Sequence, residues 1–91
     1  IQDISPIKNL KNLSVLAISN NEIEDLSVLN GLNNLKLVDV SYNQIKDLTE
    51  LNDCLKLDKL FIMKNKLNLD KNSKDMKEIA KLETTGIEVY Y

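Results

Sequence analysis

The chain has no histidine, no tryptophan and no arginine, and only two glycines, one proline and one cysteine in 91 residues. Without histidine there is no Ser-His-Asp or Cys-His couple and no imidazole zinc ligand. Nor is there a side chain that titrates near neutrality without being perturbed. The isolated Gly31 and Gly86 build neither a GxxxxGKS/T nor a GxGxxG phosphate cradle. These gaps predict no enzyme, no cofactor and no metal site. A lone Cys54 has no internal disulfide partner, so cysteine usage does not report the redox compartment. No apolar run approaches the roughly 20 residues of a membrane-spanning helix. Because the chain starts at Ile1, a targeting segment would lie ahead of it. Twelve lysines face 14 acidic residues for a net charge of −2, which gives no electrostatic case for nucleic acid or insertion into an anionic membrane. What the chain does have is 30 Leu, Ile and Val residues, enough for the core of one small domain.

Those apolar residues recur. Under a shift of 22, Leu13, Leu16, Ile18, Asn21, Ile23, Leu26, Leu29 and Leu32 fall on Leu35, Val38, Val40, Asn43, Ile45, Leu48, Leu51 and Cys54. The first five fall again on Leu57, Leu60, Ile62, Asn65 and Leu67, and Ile1, Asp3, Ile4, Ile7 and Leu10 match Ile23, Asp25, Leu26, Leu29 and Leu32. The first repeat therefore lacks its strand, which predicts further repeats upstream or an open edge that pairs with a second copy. A fixed period of this length marks a solenoid whose units bury their faces only by stacking.

Within each unit, Leu16/Ile18, Val38/Val40 and Leu60/Ile62 alternate with period 2, so each pair buries one face of a short strand, and the strands stack in parallel. Asn21, Asn43 and Asn65 fall where the chain leaves the strand and turns inward. A side-chain amide there satisfies backbone groups that a buried turn would orphan, which predicts an asparagine ladder. Asp3, Asp25 and Asp47 are placed to N-cap one-turn 3₁₀ helices, with Ile7, Leu29 and Leu51 pointing inward. Cys54 occupies a core leucine slot and reads as a small buried hydrophobe.

The segments LSVLAISNNEI, LKLVDVSYNQI and LDKLFIMKNKL follow LxxLxLxxNxI and resemble the leucine-rich repeat. The 22-residue period with IxDLxxLxxL resembles the subclass of bacterial internalins and eukaryotic phosphatase-regulator repeats, over about residues 1–67. The resemblance implies a protein-binding scaffold without fixing the partner. Beyond Leu67 the period fails, as the last unit of a solenoid requires. There NSKDMKEIAKLETTG fits a helix N-capped by Ser73, with Asp75 in the first turn, an apolar stripe of Met76, Ile79, Ala80 and Leu82, and Gly86 at the stop. IEVYY then alternates as a last strand. This run resembles the terminal unit of bacterial leucine-rich repeat proteins, which implies a bacterial source and a secreted or cell-surface location, with the cytoplasm as the alternative. The predicted architecture is α/β: a right-handed leucine-rich repeat solenoid with short parallel strands on the concave face and 3₁₀ turns on the convex face. Residues 1–67 form about three repeats, and residues 68–91 a cap with a helix near 73–83 and a strand near 87–91.

Function is then expected on the strand positions that face away from the core. These are Val15, Ala17 and Ser19, then Leu37, Asp39 and Ser41, then Lys59, Phe61 and Met63, continued by Glu88 and Tyr90, with Tyr42 and Lys64 at the edge. Apolar and aromatic Leu37, Phe61, Met63 and Tyr90, ringed by Asp39, Lys59 and Glu88, have the composition of a protein contact. Lys56, Lys59, Lys64 and Lys66 read as a solvated face, because Asp53, Asp58 and Asp70 interleave with them. Those aspartates lack the spacing of a calcium loop. The Asn12-Leu13-Ser14 sequon puts a core leucine at its centre. The reading is a non-catalytic protein-interaction module. An intracellular targeting segment beside a catalytic domain and a purely structural end cap are the alternatives.

Overall fold

A computed structural model describes residues 4–54 and 56–91, with Asn52 and Asp53 described by their backbone alone. Ile1 and Asp3, which the repeat alignment and the capping argument include, lie outside the described residues, as does the Asp53 side chain. The order of elements is η1 (Ser5–Asn9), β1 (Val15–Ala17), η2 (Ser27–Leu29), β2 (Leu37–Asp39), η3 (Thr49–Asp53), β3 (Lys59–Phe61), α1 (Lys74–Thr84) and β4 (Glu88–Tyr90), where η denotes a 3₁₀ helix. The four strands form one parallel sheet in chain order. Its register aligns Leu16, Val38, Leu60 and Val89. The first two steps are the 22-residue period. The last is longer because α1 is inserted before the closing strand.

Each of the first three strands buries its central residue and turns its first and third outward, and in the closing strand β4 the central Val89 is half-buried. The 3₁₀ helices contribute Leu29 and Leu51 from the opposite side, so a column of leucine, isoleucine and valine runs along the stack. Cys54 is buried in the slot that Leu32 fills one repeat earlier. Being smaller, it borders a mainly apolar space of about 220 Å³ lined also by Leu51, Leu57, Leu82 and Ile87.

The asparagine ladder forms as the spacing predicts. Asn43 Nδ2 donates to the carbonyl oxygens of Ile18 (3.0 Å), Val40 (2.9 Å) and Ser41 (3.1 Å), and its Oδ1 accepts from the Ile23 N–H (3.1 Å). Asn65 repeats this one unit on, with Val40 O at 3.0 Å, Ile62 O at 3.1 Å and the Ile45 N–H at 2.9 Å. Asn21 Nδ2 donates to Ile18 O at 2.8 Å. Asn43 and Asn65 therefore each clip their own turn to the preceding repeat.

The residue before each of these asparagines is left-handed: Asn20 at φ 62°, Tyr42 at φ 58° and Lys64 at φ 56°. Sequence reasoning does not find this feature, because only asparagine among the three is a residue that favours the conformation.

Two local expectations need correction. Asp25 and Asp47 do serve the 3₁₀ helices, accepting from the N–H of Ser27 (2.8 Å) and Thr49 (3.0 Å), but they stand one residue outside the N-cap position, which Leu26 and Leu48 occupy. Their carboxylates reach two residues on, as in a short side-chain turn, because a single 3₁₀ turn presents its first N–H there. In α1, Met76, Ile79 and Leu82 pack inward while Ala80 is exposed. Three-residue spacing walks the buried stripe backward around the helix and leaves Ala80 about 100° from its centre. Ser73 N-caps α1 as expected, its Oγ accepting from the Met76 N–H at 3.1 Å, and Gly86 at φ 95° follows the C-cap Thr85. Asp75 accepts from the Asn68 N–H at 2.8 Å and so ties the helix to the loop before it.

Burial is graded along the stack. Leu10 is 50% exposed where its equivalent Leu32 is 0%, and Leu13 and Ile18 are only half-buried where Leu35 and Val40 are fully buried. Opening free energy falls where fewer apolar contacts must be broken. Hydrogen exchange should therefore be faster for the amides of β1 and Ile18 than for Val38, Val40, Leu60 and Ile62. Equal protection of the first and third strands would contradict this gradient.

Removing the central rung of the ladder tests its energetic weight. Asn43→Ala should destabilise the fold by about 1–3 kcal/mol through orphaned inward carbonyls and an orphaned N–H, whereas Asn33→Ala, at an exposed position, should change stability by less than about 0.5 kcal/mol. Coincident denaturation midpoints for the two variants would refute the assignment.

Candidate functional site

Parallel in-register strands convert sequence positions into rows on the outward face. One row is Val15, Leu37, Lys59 and Glu88, and the next outward row is Ala17, Asp39, Phe61 and Tyr90. Neighbours within a row stand about 4.8 Å apart. That spacing suits stacked rings: Phe61 and Tyr90 lie face to face with centroids 4.6 Å apart and planes 8° from parallel. The stack contributes about 0.5–1.5 kcal/mol beyond area burial and holds both rings in one orientation.

Polar groups on this face are also fixed. Tyr90 Oη donates to Glu88 Oε2 at 2.7 Å, and the carboxylate beside it pushes the phenol pKa up. Asp39 Oδ1 accepts from the Ser41 N–H at 3.1 Å, which orients its carboxylate along the strand. Tyr42, at the rim, donates its N–H to Met63 O at 2.8 Å and leaves its ring exposed.

The expected positions separate into three groups. Val15 (55%), Tyr42 (52%), Tyr90 (41%) and Met63 (38%) are open, as are Lys59 and Glu88. Leu37, Asp39 and Phe61 are half-buried, since each has a strand on both sides and Phe61 is covered by Tyr90. Ser41 departs from expectation: it is buried rather than outward-facing, and its hydroxyl has no hydrogen-bond partner. β2 ends at Asp39, two residues before Ser41, and the small serine is covered there, whereas the longer Met63 in the equivalent place of the next repeat stays open. Of the lysines read as a solvated cluster, Lys56 donates to Asn34 Oδ1 at 3.0 Å.

Among the described residues, no three His, Cys, Asp or Glu side chains converge on a point where a metal ion would fit, and no helix is long and apolar enough to cross a membrane. The chemistry this face offers is contact chemistry: a rigid aromatic pair, a flexible methionine, aliphatic side chains and fixed carboxylates.

A 22-residue repeat, a parallel sheet of three-residue strands, a ladder of asparagines and 3₁₀ turns opposite the sheet together define a leucine-rich repeat solenoid. Solved structures agree. Internalin C2 from Listeria monocytogenes is 34% identical over 98% of this chain with a TM-score of 0.81. A second internalin from that species, InlF, is 29% identical over 99% with a TM-score of 0.62. The chain belongs to the leucine-rich repeat family, in its 22-residue internalin-like subclass. It spans about a third of the length of these structures, 36% of the first and 31% of the second. No family model matches the chain, and no curated protein does.

The Tyr90–Glu88 bond makes a measurable demand. Because the carboxylate stabilises the protonated phenol, Tyr90 should ionise above the ordinary tyrosine range, and Glu88→Gln should bring its titration down, read from phenolate absorbance against a Tyr90→Phe reference. The sign is that of a raised acid, so the bond is present at neutral pH and is lost as pH rises through the phenol's pKa. An unchanged titration in Glu88→Gln would show that the bond does not persist in solution.

Proposed function

We propose that this chain is a non-catalytic protein-interaction module, part of a longer bacterial leucine-rich repeat protein, which binds a protein ligand through the outward, concave face of its sheet. The observation that carries the reading is the preorganised aromatic pair: Phe61 and Tyr90 stacked in one row, with Leu37 in the adjacent row and Met63 two residues beyond Phe61. Val15, Asp39, Tyr42, Lys59 and Glu88 complete the contact surface. Aromatic anchors that are already immobilised lose little conformational entropy on binding. Similarity to two internalins of Listeria monocytogenes supports a bacterial interaction protein over an intracellular targeting segment or a structural end cap.

Area sets the scale of the contact. Four strands at ~4.8 Å give a face about 15–20 Å across, and a specific interface buries about 800 Å² per partner. The face is then one share of a larger contact surface. Secretion or surface display belongs to the same reading, as does the division into a repeat body over 1–67 and a cap over 68–91. The alternative to upstream repeats stacked on β1 is self-association along that edge, where Leu10 and Val15 leave apolar surface open.

For a protein ligand recovered with the parent chain, Phe61→Ala, Leu37→Ala and Tyr90→Ala should each weaken binding by at least about tenfold, the loss expected of a hot-spot residue. Each variant should stay folded, with a thermal midpoint lowered by several degrees as loss of the stack or of half-buried area requires, and Asn30→Ala on the opposite side should leave affinity unchanged. A ligand indifferent to all three but sensitive to 3₁₀-side changes would overturn the proposal.

A further inference from the structure

On the side opposite the sheet, the chain leaves η2 through Leu29-Asn30-Gly31-Leu32. Asn30 has φ −59° and ψ 125°, Gly31 has φ 89°, and the Leu32 N–H donates to Leu29 O at 3.1 Å. These are the angles and the closing bond of a type II turn, which requires a glycine-like residue at its third position. Gly31 is explained by the turn; Asn30 is not. Both residues are exposed, and among the described residues neither the Asn30 side-chain amide nor the Gly31 N–H has an intramolecular hydrogen-bond partner. The Lys11 ammonium lies against the same turn, with Nζ 3.3 Å from where a Cβ on Gly31 would stand, and Lys8 lines the same open groove.

We infer that Asn30–Gly31 is a self-modification site, converted to aspartate and isoaspartate by intramolecular attack and promoted by the Lys11 charge. The Gly31 backbone nitrogen gives its proton to solvent base and bonds to Cγ of Asn30. The resulting adduct expels the side-chain nitrogen, which takes a proton from solvent and leaves as ammonia, closing a cyclic imide. Water then opens the ring. Cleavage of the nitrogen–Cγ bond gives aspartate, and cleavage of the nitrogen–backbone carbonyl bond gives isoaspartate. No electrons are transferred, and water is the one co-reactant.

Geometry governs the rate. At the observed ψ the Gly31 nitrogen lies away from Cγ, and the peptide between the two residues must swing by roughly a third of a turn, which Gly31 permits because it holds φ on either side of zero. The swing begins as a type II to type I exchange, which keeps the Leu29–Leu32 bond. A cation beside Gly31 favours loss of the amide proton and the negative charge that develops on the adduct, and then pairs with the new carboxylate. Isoaspartate lengthens the backbone inside a turn whose flanking residues, Leu29 and Leu32, are both fully buried, so the product chain should be less stable than its parent.

The test is incubation of the intact folded chain at mildly alkaline pH, followed by peptide mapping for the mass gain of replacing NH₂ by OH, with isoaspartyl methyltransferase labelling to identify the isomer. Asn30 should be modified at least about tenfold faster than the exposed Asn33 and Asn72, a barrier difference of ~1.4 kcal/mol. Lys11→Gln should slow the reaction and Lys11→Arg should restore it. Asn30→Gln should abolish both the mass change and the methyl labelling while keeping the fold. The proposal is overturned if the folded chain reacts no faster at Asn30 than at Asn33 and Asn72, if Asn30 reacts only once the chain is unfolded in urea, or if Lys11→Gln reacts as fast as the parent.

Discussion

A chain that stacks parallel strands must turn inward after every strand, and the turn carries backbone N–H and C=O groups into the interior with no helix or sheet to receive them. The side-chain amide of Asn43 meets that constraint by binding carbonyls on both its own and the preceding repeat and accepting the Ile23 N–H. Asn65 does the same for Val40 and Ile45. An unpaired buried amide costs about 1–3 kcal/mol, so turns without such a residue would open a stack that gains only modestly from each repeat. Hydrophobic burial supplies the driving force. The amides make that burial compatible with a turning backbone, and they fix the register of one repeat on the next.

Register in turn determines what the outward face is. Once Leu16, Val38, Leu60 and Val89 are level, their outward neighbours are level too, and residues far apart in sequence become a row at strand spacing. Phe61 and Tyr90 stack because that spacing is close to the contact distance of two aromatic rings. A slip of one residue would turn the rings into the core and the core leucines into solvent. The proposed binding surface is thus a by-product of the ladder, made of the residues that the ladder and the core leave unused.

Much of this was legible in the sequence because periodicity is a global signal. The positions of Leu16, Val38, Leu60, Asn43 and Asn65 follow from one shift of 22, and Ser73, Asp75 and Gly86 mark the ends of α1 by ordinary capping chemistry. Where expectation failed, the cause was local. Strict alternation places Ser41 outward, but the strand ends two residues sooner, at Asp39. A stripe drawn by residue type included Ala80, whose angle on the helix excludes it. Asp25 and Asp47 were placed in the right turns but at the wrong offset, since a single 3₁₀ turn presents its first N–H one residue earlier than an N-cap rule drawn from longer helices assumes. On the face itself, composition makes Phe61 and Tyr90 candidate contact residues, but their stacking is a distance between strands and has no signature in either segment alone.

The left-handed residues join the scaffold to its proposed use. At Asn20, Tyr42 and Lys64 the backbone must aim its N–H at the next repeat while turning the following asparagine inward: the Asn20 N–H donates to Ser41 O and the Tyr42 N–H to Met63 O. Asparagine adopts that conformation readily, whereas tyrosine and lysine adopt it at a cost of about 1–2 kcal/mol each. Nothing in the turn requires a tyrosine. A side chain that strains the backbone at a position where asparagine or glycine would relieve it, and that then leaves its ring in solvent beside Met63, is poorly accounted for by stability. Lys64 carries the same strain, so the conformation belongs to the turn; at Tyr42 it holds an exposed ring at the rim of the proposed contact surface.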